Sequence, residues 1–311
     1  MEYVALLVSC LFFSTQFVFN KQCSKHTLSN FSGGLIVNVL QSGWIMLAFF
    51  ILGGFSMRTT PESLLYAALY AFFMLLCNCC MVPALKLGKI AVLSLFTLAG
   101  GLAVPTVFGI FFLRERATVL SVAGILIILA SFVISSAEDL FLRRGEREKS
   151  SVLFWVFCII VFFGNGLLSV VSKLHAISEN CVPTYDFLVC ASLMRCGAAI
   201  LMLAAAMWMG KGKTGEPLFP LRPENLGIPG RKSVLPVIVG GLGYALCNGF
   251  GNVFSMFSQK TMSASIQFPL LSAAVVIITA ILGFAVYREK PSKYELIGMG
   301  VTAVGAILMI F

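Results

Sequence analysis

"GIFFLRERATVLSVAG" runs from Gly109 to Gly124, and "GFAVYREKPSKYELIG" runs from Gly283 to Gly298. Both read Gly-x4-Arg-Glu-[Arg/Lys]-x7-Gly, a charged turn framed by apolar runs, and the second copy lies 174 residues after the first. The same offset carries Tyr70 to Tyr244, Asn78 to Asn252 and Lys86 to Lys260. Identity between the copies is low, so the shared spacing carries the signal of an internal repeat. Earlier in each half, "LFFSTQF" from Leu11 aligns with "VFFGNGL" from Val161 at an offset of 150. The two offsets differ by 24, the length of the Pro/Gly-rich stretch 210–233, so one insertion accounts for both registers.

The medium follows from composition. Of 311 residues, 59% are hydrophobic and 11% charged, against about 25% charged in soluble domains, and the mean hydropathy is +0.96. Apolar runs of transmembrane length recur along the chain, each long enough for a helix to cross a ~30 Å hydrocarbon core. The spacing predicts ten spans: 3–20, 32–54, 63–85, 90–112, 119–137, 152–173, 184–209, 234–259, 263–287 and 294–311. The first run follows Met1-Glu2 without a basic segment and reads as a retained helix, not a signal peptide. The charged stretch 138–150, containing "RRGEREK", divides the chain into five-helix repeats at 1–137 and 151–311, the later one carrying the loop insertion at 210–233.

Because five is odd, the second repeat starts on the opposite side of the membrane from the first. The expected fold is therefore an all-α polytopic membrane protein of ten transmembrane helices in two inverted repeats, with a site near the midplane where repeats meet. Basic residues exceed acidic ones, 22 to 13, but they flank the spans, so they speak for membrane edges and no nucleic-acid partner. Charge bias places both termini outside: with the N-terminus inside, the cytoplasmic loops would hold only Arg58, Arg114, Arg116, Lys173 and Lys260.

The stretches "FFLRERATVLSVAGILIILASFVI" and "GFAVYREKPSKYELIGMGVTAVGAILMIF", each a charged turn followed by a glycine-containing last helix, resemble the EamA type of the drug/metabolite transporter (DMT) superfamily over the full chain length. The resemblance implies a ten-helix transporter in the cell (plasma or inner) membrane, with its cavity lined by the first four helices of each half and both termini inside, opposite to the charge bias. It leaves the substrate open. Pro105 lies nearer the turn than the proline that the family often carries in the fourth helix of a repeat, and the later half has Thr279 in that place.

Arg195 is the ionisable residue set deepest in a span, eleven residues after Thr184 and so ~16 Å into the membrane. A charge there costs at least ~2.5 kcal/mol on insertion scales and faces protein interior or water. Its planar fork suits a carboxylate or phosphate; the structural alternative is an arginine bonded to helix-end carbonyls or to Asp186. No Asp or Glu lies mid-span, which leaves no deep carboxylate for exchanging protons against organic cations.

Tyr244, Asn248 and Asn252 form one stripe at i, i+4, i+8, matched in the first half by Tyr70 and Asn78. Gln16 with Asn20, Asn38 with Gln41 and Trp44, and Asn165 with Ser169 are further polar stripes. They read either as helix glue or as the walls of one wet cavity. These readings point to a secondary transporter of a small organic metabolite with an anionic or zwitterionic group, working by alternating access. Trp44, Tyr70 and Tyr244 would instead cage an onium cation in an exporter of cationic or aromatic compounds, and a non-transporting scaffold or sensor is the third class.

An ATP-driven pump would need a phosphate-binding loop, which is absent from the sequence. An intramembrane enzyme would need a positioned nucleophile and base, and none is visible. Cys77, Cys79 and Cys80 read as helix packing, not as a metal site. No metal or cofactor is expected. The expected partners are a small-molecule substrate and membrane lipids, with a coupling ion left open, in a monomer or homodimer. Arg114-Glu115-Arg116 and Arg288-Glu289-Lys290 are expected to form local ion pairs at the interface.

Overall fold

The computed structural model describes residues 1–26, 31–87, 90–116, 118–135, 152–209, 233–287 and 292–309. The linker 138–150, nearly all of the insertion 210–233 and the second charged triplet, 288–290, lie outside the described residues. Hydrocarbon offers no hydrogen bonds to peptide groups, so an apolar chain must satisfy its backbone internally, and it does so as helices. They are α1 (Glu2–Lys25), α2 (Phe31–Leu52), α3 (Pro61–Leu87), α4 (Ile90–Phe111), α5 (Val119–Ser135), α6 (Val152–Ile177), α7 (Thr184–Met209), α8 (Val234–Gln259), α9 (Ala264–Tyr287) and α10 (Lys293–Leu308). Among the described residues, seven helices are long and apolar enough to cross a bilayer, and shorter apolar stretches cover Phe96–Phe111 and Val119–Ser135. The fold is all-α and polytopic.

Local chemistry sets several helix starts. Thr60 accepts the amide of Ser63 at 3.2 Å, with Pro61 opening α3 where its missing N–H costs nothing. Ser292 and Glu295 form a reciprocal capping box at the start of α10, as the Ser-x-x-Glu pattern requires.

The chain gathers into two compact units that are not the two sequence halves. The first comprises 1–15, 84–179 and 250–311, and the second 16–83 and 180–249, so α1, α3 and α8 contribute to both. In the first unit α5 packs on α10, and α4 on α6 and α9; in the second, α2 packs on α7. Three of these pairs join helices of the same ordinal place in the two halves. The first unit's core includes Leu6, Leu102, Ile128, Phe132 and Met309; that of the second includes Leu35, Leu75 and Ala199.

The glycine-framed turn has a concrete role. Arg114 takes a left-handed φ of 54°, and the Glu115 carboxylate accepts the backbone amides of Ala264 and Ser265 at 2.7 and 2.8 Å. These are the first two residues of α9, so an anion sits where the helix dipole is positive. A Cβ on Gly109 would lie 2.9 Å from the Glu115 carboxyl carbon and 3.1 Å from the Ala264 Cβ, so the glycine is what lets the carboxylate through. Expected to pair locally, Glu115 is instead a cap for a helix some 150 residues away, because two unsatisfied amides in an apolar setting outbid solvent-exposed neighbours. The outer glycines serve the α5–α10 joint: a Cβ on Gly124 would come within 2.6 Å of the Gly305 carbonyl, and one on Gly298 within 3.0 Å of that of Ser131.

At the other end of the same connection, the buried Lys173 of α6 donates to the carbonyls of Gln259 and Met262 at 2.5 and 2.6 Å. A cation thus closes the C-terminus of α8 and an anion opens α9. Glu115→Ala is expected to cost about 2 kcal/mol, read as a drop of several degrees in melting temperature, with Glu115→Gln losing less. A drop under about 1 °C would mean that the two amides find other acceptors.

Candidate functional site

Arg195 lies on α7 with 4% of its surface exposed. It lines a small cavity with Ile45 of α2, Tyr70 of α3, Leu188, Ala191 and Ser192 of its own helix, and Asn248 of α8, all within the second unit. The phenols of Tyr70 and Tyr244 lie close enough to couple electrostatically to its guanidinium. Tyr70 is held by an edge-to-face contact with Phe187 at 5.5 Å. The cavity volume, about 10 Å³, is room for roughly one water.

The state of the arginine decides what the cavity can do. Its Nε and Nη2 are buried without a hydrogen-bond partner in the protein, and so is the Trp44 indole Nε1. Among the described residues of the second unit these are the unpartnered buried side-chain nitrogens and oxygens, and all three are donors. Neither helix-end carbonyls nor Asp186 occupies that edge of the guanidinium. A buried donor edge without an acceptor is costly, and an anion would satisfy it.

The amide stripes have a different disposition. Asn78 donates to Asn38 at 2.9 Å, Asn248 to Gln16 at 2.8 Å and Gln41 to Asn20 at 3.4 Å, tying α3 to α2, α8 to α1 and α2 to α1. In the first unit Asn165 donates to the Thr97 carbonyl at 2.8 Å, and Asn252 is buried there as well. The structure therefore gathers Arg195, Tyr70, Tyr244 and Asn248, while Gln16, Asn20, Asn38, Gln41, Asn78 and Asn165 make helix-to-helix bonds. A double-mutant cycle on Asn38→Val and Asn78→Val is expected to give a coupling of about 0.6 kcal/mol in thermal unfolding; strict additivity would remove the bond from the account.

Glycines of α8 admit the neighbours that shape this unit. A Cβ on Gly240 would meet the Cys23 sulfur at 2.8 Å, one on Gly243 the Phe19 ring at 2.7 Å, and one on Gly249 the Phe49 ring at 3.0 Å or closer. Ile45, Leu188, Ala191 and Ser192 were not singled out in the sequence. Helical spacing could have found three of them, since positions 188, 191 and 192 stand seven, four and three before Arg195, on the same face.

No metal-binding group of three His, Cys, Asp or Glu side chains occurs among the described residues. The profile of the EamA-like transporter family matches residues 153–311, just over half of the chain. No curated protein matches. One solved crystal structure superposes with a TM-score of 0.70 at 18% identity, covering 100% of this chain and 98% of that one, which supports the fold. With seven long apolar helices among its described residues, the chain is an integral, multi-pass membrane protein that belongs to the EamA-like transporter family of the DMT superfamily.

Proposed function

We propose that this protein is a secondary transporter that carries a small organic metabolite across the membrane, gripping an anionic group of the solute, free or zwitterionic, with Arg195. The observation that carries this reading is the donor edge of Arg195, buried in the span and lacking an acceptor. An anion arriving there satisfies Nε and Nη2 together and neutralises a charge that hydrocarbon disfavours. Tyr70 and Asn248 stand on the cavity wall to orient the rest of the solute. A cavity with room for about one water admits a solute only when the surrounding helices part. Opening toward one side and then the other is the alternating access that a repeated architecture favours.

An aromatic cage for an onium cation is disfavoured by the same geometry. The cavity that Tyr70 lines already holds the protein's own cation, Arg195, and a second cation there would be repelled. Reconstitution into liposomes tests the proposal. Saturable uptake of organic anions is expected, with Tyr244→Phe raising the half-saturating concentration about tenfold through loss of one hydroxyl beside a charged pair. Absence of flux for every anion offered would favour a non-transporting scaffold.

A further inference from the structure

The charges around the cavity can be counted. The buried basic side chains among the described residues are Lys173, His175 and Arg195; Lys173 and His175 belong to the first unit, where Lys173 caps α8. The second unit therefore sets one buried cation against the cavity. The remaining lining side chains are uncharged: Ile45, Leu188 and Ala191 are apolar, and Tyr70, Ser192 and Asn248 are neutral hydrogen-bonding groups. The buried carboxylate of the unit, Asp186, precedes Arg195 by nine residues on α7, ~13 Å along the axis and on the opposite helix face.

The unpartnered nitrogens also matter by name. Nε and Nη2 form one edge of the guanidinium, two parallel N–H groups spaced like the oxygens of a carboxylate. From the single cation, its bare edge and the neutral, partly apolar walls, we infer that the site takes monoanionic organic acids with apolar bodies and turns away α-amino acids and dianions. This narrows the anion-binding reading above and rests on it. An α-ammonium group stays beside its own carboxylate, so it would be drawn in next to the guanidinium with no carboxylate in reach. A dicarboxylate or phosphate monoester brings a second negative charge that one arginine leaves uncompensated. Either stray charge in the span is expected to weaken binding about 100-fold.

A matched series on one skeleton tests this: isocaproate as the monoanion, leucine with the added ammonium, isobutylmalonate with the second carboxylate and isocaproamide as the neutral control. Benzoate and octanoate vary the apolar body. Ligand-induced thermal shifts are read on the purified full chain and on Arg195→Met. The expected result is stabilisation by one or more of the three monocarboxylates, lost in Arg195→Met, with leucine and isobutylmalonate needing about 100-fold higher concentration and isocaproamide inactive. Arg195-dependent binding of leucine or isobutylmalonate as tight as that of isocaproate overturns the monoanion class and leaves the anion site standing. Shifts that persist undiminished in Arg195→Met overturn both. No shift with any of the three monocarboxylates overturns the inference.

Discussion

Replacing Arg195 with methionine is expected to make the protein more resistant to heat and unable to move its solute. The two effects have one cause. A guanidinium buried in the span with no protein acceptor for Nε and Nη2 is a standing cost, and an apolar side chain of similar length removes it. Replacing buried charge by well-packed apolar groups gains about 1–4 kcal/mol in favourable cases, or several degrees in melting temperature. Function that lowers stability at its own site is a general trade-off. A structural arginine would behave in the opposite way: its removal would orphan the groups it had held, and the melting temperature would fall. Arg195→Lys separates charge from shape, since an ammonium keeps the charge but has no parallel donor pair. It is expected to retain weak binding and little flux.

The largest loss of stability is expected at Gly100. A Cβ there would overlap the Phe162 carbonyl group, 2.7 Å from both its carbonyl carbon and its Cα. Backbone cannot step aside as a flexible side chain can, so α4 and α6 would have to separate along their contact. Gly166 faces the same joint, 2.7 Å from the Gly100 carbonyl if it carried a Cβ, so the two helices meet backbone to backbone, as small residues permit in membranes. Gly100→Ala is expected to cost about 3 kcal/mol or more, seen as loss of the folded fraction in thermal unfolding. Gly300→Ala is the control within the same unit: no atom lies within 4 Å of its Cβ position, so the change is expected to be neutral or to stabilise by up to ~1 kcal/mol through better helix propensity. Equal effects at both positions would mean that the close α4–α6 contact is absent.

The helices were legible in the sequence because a bilayer imposes length and polarity together. The spans 184–209 and 234–259 coincide with α7 and α8. The first helix runs on to Lys25 and the sixth to Ile177, past the apolar runs that predicted them, because a helix keeps its backbone bonds after its side chains leave hydrocarbon. Arg195 was legible for a simple energetic reason: a charge at mid-span demands an explanation. Ile45 was not, since the face of α2 that meets the cavity depends on packing. The amide pairs across α1, α2, α3 and α8 were visible only as stripes, because which asparagine finds which partner depends on helix rotation. The glycine-framed turn was recognised by its repetition, but its purpose was not. Glu115 reaching the start of α9 is a contact between distant parts of the chain, and local spacing carries no trace of it.

Uptake into proteoliposomes tests the central claim most directly, with radiolabelled isocaproate, benzoate, leucine and succinate offered to the purified protein and to Arg195→Met side by side. The account predicts saturable, protein-dependent uptake of at least one of them by the unaltered chain and background uptake by a variant that is folded and at least as heat-stable. Uptake by Arg195→Met equal to that of the unaltered protein, or no uptake of any of the four by either, would contradict it.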